Sequence, residues 1–356
     1  MKKTRQNSNL EIQFSEPNAL GWYVIVAGGL GMIDFSTDNF RPHERFDHWC
    51  EVRARNLFGV TISLAPEHRA HFRGRFSAVA VNGAILSNMR ATPYMVTRGA
   101  ADISRASSDS LCIYQQTGGA SWFNTTGEGE FRISAGEIAI SHSDLPYKTA
   151  PTTAHGFDLR VLKIPLAGRD IFARPAHGLA PALVQDNPRL KTAIAASFTA
   201  LVANAAENPD ADFEQDVGYL AQLALLARSR VAPGSPETRA ALRFGFLKAA
   251  LNVLAQNLHR PGLSPLAVAT ELGISVRQLH LLFEPTGRSF ARTLMATRLT
   301  EARRMMLGVM SSRPIADVAY ACGFDSMATF YRVFRQTYGM TPNELRAEKV
   351  AANAAL

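Results

Sequence analysis

Two short stretches of the chain concentrate side chains able to read the edges of DNA bases. Between positions 275 and 281 stand Ser275, Val276, Arg277, Gln278, His280 and Leu281, and between 327 and 335 stand Met327, Ala328, Thr329, Tyr331, Arg332 and Arg335. Arginine can donate two hydrogen bonds to guanine O6 and N7, glutamine can pair with adenine, and apolar groups can meet the thymine methyl. Apolar residues recur behind both sets, at Leu279, Leu282 and Phe283 and again at Phe330, Val333 and Phe334. That spacing turns one face of a helix toward a core and leaves the other outward.

Such helices need a scaffold, and an internal repeat supplies one. P-L-A-V-A-T-E-L-G-I-S (265–275) and I-A-D-V-A-Y-A-C-G-F-D (315–325) align at an offset of 50, matching Val268 with Val318, Ala269 with Ala319 and Gly273 with Gly323. Past the turn the offset becomes 51, matching Leu279 with Phe330 and Phe283 with Phe334. In each half a small alanine lets two helices cross closely, and a glycine four residues on takes a left-handed turn at little steric cost. Ile274 or Phe324 then plugs the corner. Ser275 with Gln278 predicts a capping box, and Asp325 or Ser326 predicts the cap of the counterpart. These are the parts of two helix-turn-helix units, at about 263–284 and 312–335, whose second helices enter the DNA major groove.

Between the units, 289–307 predicts a helix about 28 Å long at 1.5 Å per residue. That suffices to hold two recognition helices about one DNA turn, roughly 34 Å, apart. Thr341-Pro342-Asn343-Glu344 predicts the start of a last helix, with Thr as cap and Pro in first position. Charge agrees. Residues 241–356 hold 14 Lys+Arg against 7 Asp+Glu, whereas residues 1–240 hold 24 against 23, so nearly all of the net +8 lies in the last third. A basic module joined to a neutral one is the footprint of a nucleic-acid binder with a second function.

The remainder is less explicit. A length of 356 residues predicts two or three domains, and 47% apolar against 19% charged residues excludes a disordered or fibrous chain. Cys50, Cys112 and Cys322 are odd in number and lack C-x-x-C spacing, which argues against a disulfide framework and fits a reducing cytoplasm. The apolar run Ala19–Ile33 is 15 residues long and interrupted by glycines, short of the ~20 that a spanning helix needs. Neither membrane insertion nor a signal peptide is expected. Val231–Arg239 (V-A-P-G-S-P-E-T-R) reads as a linker. Before it, 187–230 has helical periodicity. Further upstream, β-prone runs at 75–81, 111–115, 131–133 and 137–140 alternate with turn residues, which suggests a small barrel or sandwich.

Taken together, the C-terminal motifs resemble the DNA-binding domain of AraC/XylS-type bacterial transcription regulators. The resemblance is carried by L-S-P-L-A-V-A-T-E-L-G-I-S-V-R-Q-L-H-L-L-F (263–283), R-L-T-E-A-R-R-M-M-L (298–307), I-A-D-V-A-Y-A-C-G-F-D-S-M-A-T-F-Y-R-V-F-R (315–335) and Y-G-M-T-P-N-E-L-R (338–346). Two positions depart from the family's usual pattern: Leu281 stands where Arg is common, and Ala328 where Ser is common. Less specifically, R-F-D-H-W-C-E-V (45–52) resembles the opening helix of the family's ligand-binding domain, and F-R-I-S-A-G-E-I-A-I-S (131–141) a strand-turn-strand of its cupin-like barrel. The fold implied is α+β, with an N-terminal cupin-like β-barrel and flanking helices over 1–230, a linker at 231–239 and an all-α DNA-binding domain of two helix-turn-helix units over 240–350.

The function implied is a cytoplasmic transcription regulator, expected to activate, controlled by a small-molecule effector in the barrel. Its partners would be double-stranded DNA, a second copy of the chain and RNA polymerase. Candidate effector-binding residues on the expected strands are Tyr94, Arg98, Trp122, Phe131, His142 and Tyr147, although ordinary barrel packing accounts for any one of them. Two alternatives stay open: a cupin-like metalloenzyme with a DNA-binding tail, and a regulator whose N-terminal domain only dimerises. His68, His71 and His142 lack the three or four convergent ligands that a metal requires, so no catalytic residue, metal or cofactor is expected. No P-loop, Rossmann or nucleophile-elbow pattern is present.

Overall fold

The computed structural model describes residues 33–52, 58–127, 129–184, 187–308 and 313–354, with the short strands at 13–14 and 24–25. It is a mixed α+β chain of two units, Met1–Leu242 and Arg243–Leu356. The first unit begins with β1 (Gln13–Phe14), β2 (Val24–Ile25), β3 (Ile33–Ser36), α1 (Arg45–Trp49), β4 (Thr61–Ser63) and α2 (Pro66–Arg69). It continues with β5 (Gly74–Val81), β6 (Ala84–Ala91), β7 (Met95–Arg98), α3 (Ala100–Arg105), β8 (Ser110–Gly118) and β9 (Ala120–Thr125). Next come β10 (Gly129–Ser134), β11 (Ile138–His142), β12 (Tyr147–Pro151), β13 (Phe157–Pro165), α4 (Asp170–Ala176) and β14 (Ala182–Leu183). Helices α5 (Pro188–Glu207) and α6 (Glu214–Ala227) follow, and α7 (Pro236–Asn257) runs across the division after Leu242.

Apart from the β1–β2 pair, the strands form two antiparallel sheets, ordered β10-β9-β12-β7-β4 and β14-β11-β8-β13-β6-β5-β3. Among the described residues no ladder joins their edges, so the barrel expected from the sequence is corrected to an open, two-sheet structure. The segment 131–141 shows why. β10 pairs with β9 while β11 pairs with β8, so the turn at Gly136 (φ +83°) carries the chain from one sheet to the other instead of closing a hairpin. A true hairpin joins β5 to β6 through Asn82 and Gly83, both at positive φ, the two-residue turn whose twist suits flanking strands.

The face of the larger sheet bearing Ile113, Ile138, Ile140, Leu162 and Ile164 packs against Ile194, Phe198 and Leu201 of α5 and Leu220 and Leu223 of α6. Each such side chain contributes about 1.5–3 kcal/mol when removed from water. On the opposite face an aromatic cluster joins the two sheets. Trp49, delivered fully buried by α1, meets Phe72, Phe76 and Tyr94 at ring separations of 5.5–6.2 Å. Gly74 is required beneath it, since a Cβ there would lie 2.6 Å from the indole ring.

The expected linker is shorter than the sequence suggests. Pro236 opens α7 instead of breaking it, because a proline in first position forfeits no helical hydrogen bond. Ser235 Oγ accepts from the Thr238 amide at 3.1 Å, which completes the cap. Beyond α7 the second unit is helical: α8 (Pro265–Leu272), α9 (Val276–Phe283), α10 (Phe290–Leu307), α11 (Ile315–Ala321), α12 (Met327–Tyr338) and α13 (Pro342–Ala354). No single described helix is long and apolar enough to cross a membrane.

Candidate nucleic-acid interface

Helices α8 and α9 form the first candidate unit. Ser264 caps α8, with its Oγ accepting from the Ala267 amide at 3.2 Å, and Pro265 fills the first position. Gly273 ends the helix at φ +63°, in the left-handed region that disfavours a side chain. The Ile274 amide then donates to the Ala269 carbonyl at 2.9 Å, folding the chain back over the buried Ala269. The segments Pro265–Leu272 and Val276–Thr286 cross at 100°, within the range of a helix-turn-helix.

The start of α9 is held by a complete capping box. The Gln278 amide donates to Ser275 Oγ at 3.1 Å, and the Ser275 amide donates to Gln278 Oε1 at 2.9 Å. This changes what Gln278 can do. Bidentate pairing with adenine needs both its acceptor and its donor, and the cap already engages the acceptor, leaving the Nε2 hydrogens outward.

The second unit repeats the arrangement with a bulkier core. Gly323 turns the chain at φ +79°, and the Phe324 amide donates to the Ala319 carbonyl at 3.1 Å. Ser326 is the residue that caps α12, its Oγ accepting from Thr329 at 3.3 Å. Phe324, Phe330 and Phe334 are buried and meet ring to ring at 4.9 and 5.5 Å. At α13, Thr341 and Glu344 form another reciprocal cap at 3.3 and 2.7 Å.

The residue that ties this unit together is one that sequence reasoning placed only in a helix. Arg298 of α10 is buried, and it donates to the carbonyls of Leu258 at 2.9 Å and Arg260 at 2.6 Å, just beyond the end of α7. A cation there also meets the negative end of the helix dipole. Gly323 packs against the same point: a Cβ at Gly323 would lie 2.2 Å from the Leu258 carbonyl oxygen and 3.0 Å from the guanidinium. An arginine at a helix position otherwise reserved for the core was the available signal.

The expected DNA-facing residues divide by exposure. Ser275, Arg277, Gln278, His280 and Leu281 are exposed on α9 or its cap, and Ala328, Arg332 and Arg335 are exposed on α12. Val276, Met327, Thr329 and Tyr331 are half-buried, and the Tyr331 hydroxyl accepts from Asn343 of α13 at 3.3 Å. Arg277 and Arg332 make no ion pair or side-chain hydrogen bond among the described residues. Arg243, Arg288 and Arg292 are likewise exposed with no such contact among the described residues, whereas Arg304 pairs with Glu301 at 2.6 Å and Arg303 lies over the Tyr338 ring.

The expected effector residues do not converge on one space. Tyr94 belongs to the aromatic cluster around Trp49. Phe131 and Tyr147 flank Phe123, with Phe131 stacked on it at 5.3 Å. Trp122 is half-buried on β9, where its carbonyl accepts from Thr149. Arg98 is buried and saturated, donating to the carbonyls of Phe58, Gly59, Ala106 and Ser143 and pairing with Asp144 at 2.8 Å. His142 accepts at Nδ1 from the Asp144 amide, which places its proton on Nε2, 3.0 Å from Asp109. Burial pushes the Asp144 carboxyl up, but hydrogen bonds from the Ser107 hydroxyl, the Asp109 and Ser108 amides and Arg98 hold it well below the usual carboxylate range. Arg98 and His142 thus serve the loop at Asp144.

On the exposed surface of β5, β6 and β13 lies a groove of about 820 Å³, in which Arg75 pairs with Asp34 at 2.8 Å and Arg90 with Asp158 at 2.7 Å. Among the described residues no three His, Cys, Asp or Glu side chains are grouped to hold a metal ion.

Comparison with known proteins matches both units. Residues 268–348 match the family model of a helix-turn-helix domain, and residues 49–231, half of the chain, match that of the AraC-binding-like domain. The transcriptional activator NphR of Rhodococcus sp is 26% identical over 312 residues, covering 84% of this chain and 88% of that protein. The HTH-type transcriptional regulator GlxA of Rhizobium meliloti (strain 1021) is 38% identical over 120 residues, 32% of this chain and 36% of its own length. Among solved structures, the AraC-like transcriptional activator CuxR is 18% identical, with a TM-score of 0.47 over 82% of this chain and 100% of that one.

Proposed function

From the premise that this chain belongs to the AraC/XylS family of DNA-binding transcription regulators, we propose that α9 and α12 enter successive turns of one major-groove face. Arg277 and Arg332 are the base-reading side chains in this proposal. The observation that carries it is their place: both stand exposed on the outer face of the capped second helix of a unit, with no ion pair or side-chain hydrogen bond among the described residues. An unpaired guanidinium offers its two-pronged donor geometry to guanine without first breaking an ion pair.

The other outward residues divide by chemistry. Gln278 Nε2, His280 and the Leu281 side chain complete the first helix, with Ser275 and Val276 at its start, while Thr329, Met327 and Ala328 border the second. Arg335 is suited to phosphate, because Glu344 already lies within its electrostatic reach. Tyr331 supports α12 through Asn343.

The N-terminal unit, roughly 1–230, is the ligand-binding domain and takes a small-molecule effector. Binding there would shift the arrangement of two DNA-binding domains in a homodimer and their access to RNA polymerase. The relatives described as activators support activation as the sign. In this reading the protein is not a catalyst, and it acts on the chromosome in the cytoplasm. The test is competition binding to DNA sequences selected by the full chain. Arg277→Ala and Arg332→Ala should each relax preference at one position, whereas a uniform loss on all sequences would reassign them to phosphate.

A further inference from the structure

Strand register identifies an interior row of side chains that contains none of the effector candidates above, although Phe131 and Tyr147 flank the Phe123 ring beside it. In an antiparallel sheet, directly opposed residues share a face. Lys163 of β13 opposes Cys112 of β8, and Cys112 opposes Ser141 of β11, so the three stand in a row. Their neighbours along the strands, Leu162, Ile164, Ile113 and Ile140, pack against α5 and α6, so the row faces the other way, into the space between the sheets. Tyr114 faces it too, with its hydroxyl 3.4 Å from Ser141 Oγ and its ring 6.1 Å from Phe123 of the smaller sheet.

The lysine is the anomaly of this space. A half-buried ammonium loses hydration and regains it only from a counter-charge or from acceptors. Lys163 has neither an ion pair nor a hydrogen bond among the described residues, unlike the arginines of the outer groove. Burial works against its charge, Arg98 repels it, and Asp144, which attracts it, has its acceptors occupied. Its Oδ1 accepts from Arg98, Ser143 and the Ser108 amide, and its Oδ2 from Ser107 and the Asp109 amide. Burial pushes the Cys112 thiol and the Tyr114 phenol upward, so neither supplies a negative charge near neutral pH.

We propose that this space is the effector site, and that its ligand is a small monocarboxylic acid with an aromatic or apolar body. The carboxylate pairs with Lys163 and accepts from the Tyr114 hydroxyl, while the body lies against Phe123 and Tyr147. The inference rests on the regulator reading and specifies its ligand.

The experiment uses the full chain and matched pairs of probes: benzoate with benzamide, phenylacetate with phenylacetamide, and octanoate with octanol. Thermal unfolding and titration calorimetry should show at least one acid raising Tm by about 4 °C and binding at least tenfold more tightly than its neutral partner. Lys163→Met should abolish that response, and Lys163→Arg should retain part of it. Lys163→Met should also be at least as stable as the parent without ligand, because it removes an unpaired cation from the interior.

Equal binding of acids and neutral partners overturns the proposal, as does acid binding that survives Lys163→Met. So does a ligand-free loss of stability in Lys163→Met, or an absence of response to every acid. Promoter binding by the same preparations is scored separately. Its absence would sink the regulator reading, whereas failure of the acid panel alone would sink only this assignment.

Discussion

Replacing Gly323 by alanine should cost far more than the same change at Gly339, although both glycines occupy turns of the second unit at nearly equal φ, +79° and +74°. Holding alanine in the left-handed region costs about 1–2 kcal/mol at either position. At Gly339 nothing lies within 4 Å of the added Cβ, so the cost ends there. At Gly323 the Cβ would sit 2.2 Å from the Leu258 carbonyl oxygen, which must move. That oxygen accepts the buried Arg298 Nε at 2.9 Å, and losing a hydrogen bond from a charged donor costs about 1.5–3 kcal/mol more. The totals are therefore roughly 3–5 kcal/mol against 1–2 kcal/mol. Urea titration of the full chain, followed by both far-ultraviolet circular dichroism and tryptophan fluorescence, separates the two units. Trp22, Trp49 and Trp122 all precede residue 242, so fluorescence reports the first unit alone. With a slope near ~1.5 kcal/mol per M, Gly323→Ala should lower the helical transition by about 2 M or abolish it, and Gly339→Ala by about 1 M. The fluorescence transition should stay in place in both. Equal shifts for the two variants would refute the reasoning, because steric conflict with Leu258 is all that distinguishes them.

Arg332→Ala should weaken binding to the preferred DNA by about 1–3 kcal/mol and flatten preference at one base pair in a competition assay, whereas Arg303→Ala should weaken all sequences alike. Ser275→Ala should lose about 1 kcal/mol of stability through the α9 cap and lower DNA affinity without changing sequence preference. Asp144→Asn should destabilise the first unit at pH 7 by about 3 kcal/mol in thermal unfolding, since it leaves the buried Arg98 without its counter-charge. The pH dependence has a definite sign. The folded-state pKa of Asp144 is depressed, so its contribution is complete above the unfolded value near ~4 and fades as pH falls below it. The gap between parent and Asp144→Asn should therefore narrow only under acid.

The second unit was legible because its signals are local. Capping serines, turn glycines and the three-and-four spacing of Leu279, Leu282 and Phe283 act within a few residues of one another, and a repeat states them twice. Arg298 escaped because its role depends on carbonyls about 40 residues away, beyond the reach of any periodicity. In the first unit the runs around β5, β8 and β11 are legible from their composition, while β6 and β13 become visible only through their pairing. The Asn82-Gly83 dipeptide was the missed sign of the β5–β6 hairpin. Whether the strands close into a barrel depends on which edges pair, and the segment 131–141 reads alike as a hairpin or as a crossing between sheets. The effector candidates failed to converge for the same reason. Residue type points to aromatic and polar side chains, but the face each one occupies follows from register, which sets Lys163 beside Cys112, while Arg98 pairs with Asp144.

Selection of binding sites from a random duplex library by the full chain, followed by footprinting of the winners, tests most directly whether two recognition helices grip one face of DNA. The account predicts two protected stretches about 10 base pairs apart, affinity that falls steeply with salt, and selective loss of one stretch with Arg277→Ala and of the other with Arg332→Ala. Enrichment of no sequence, or a single protected stretch indifferent to both substitutions, would contradict it.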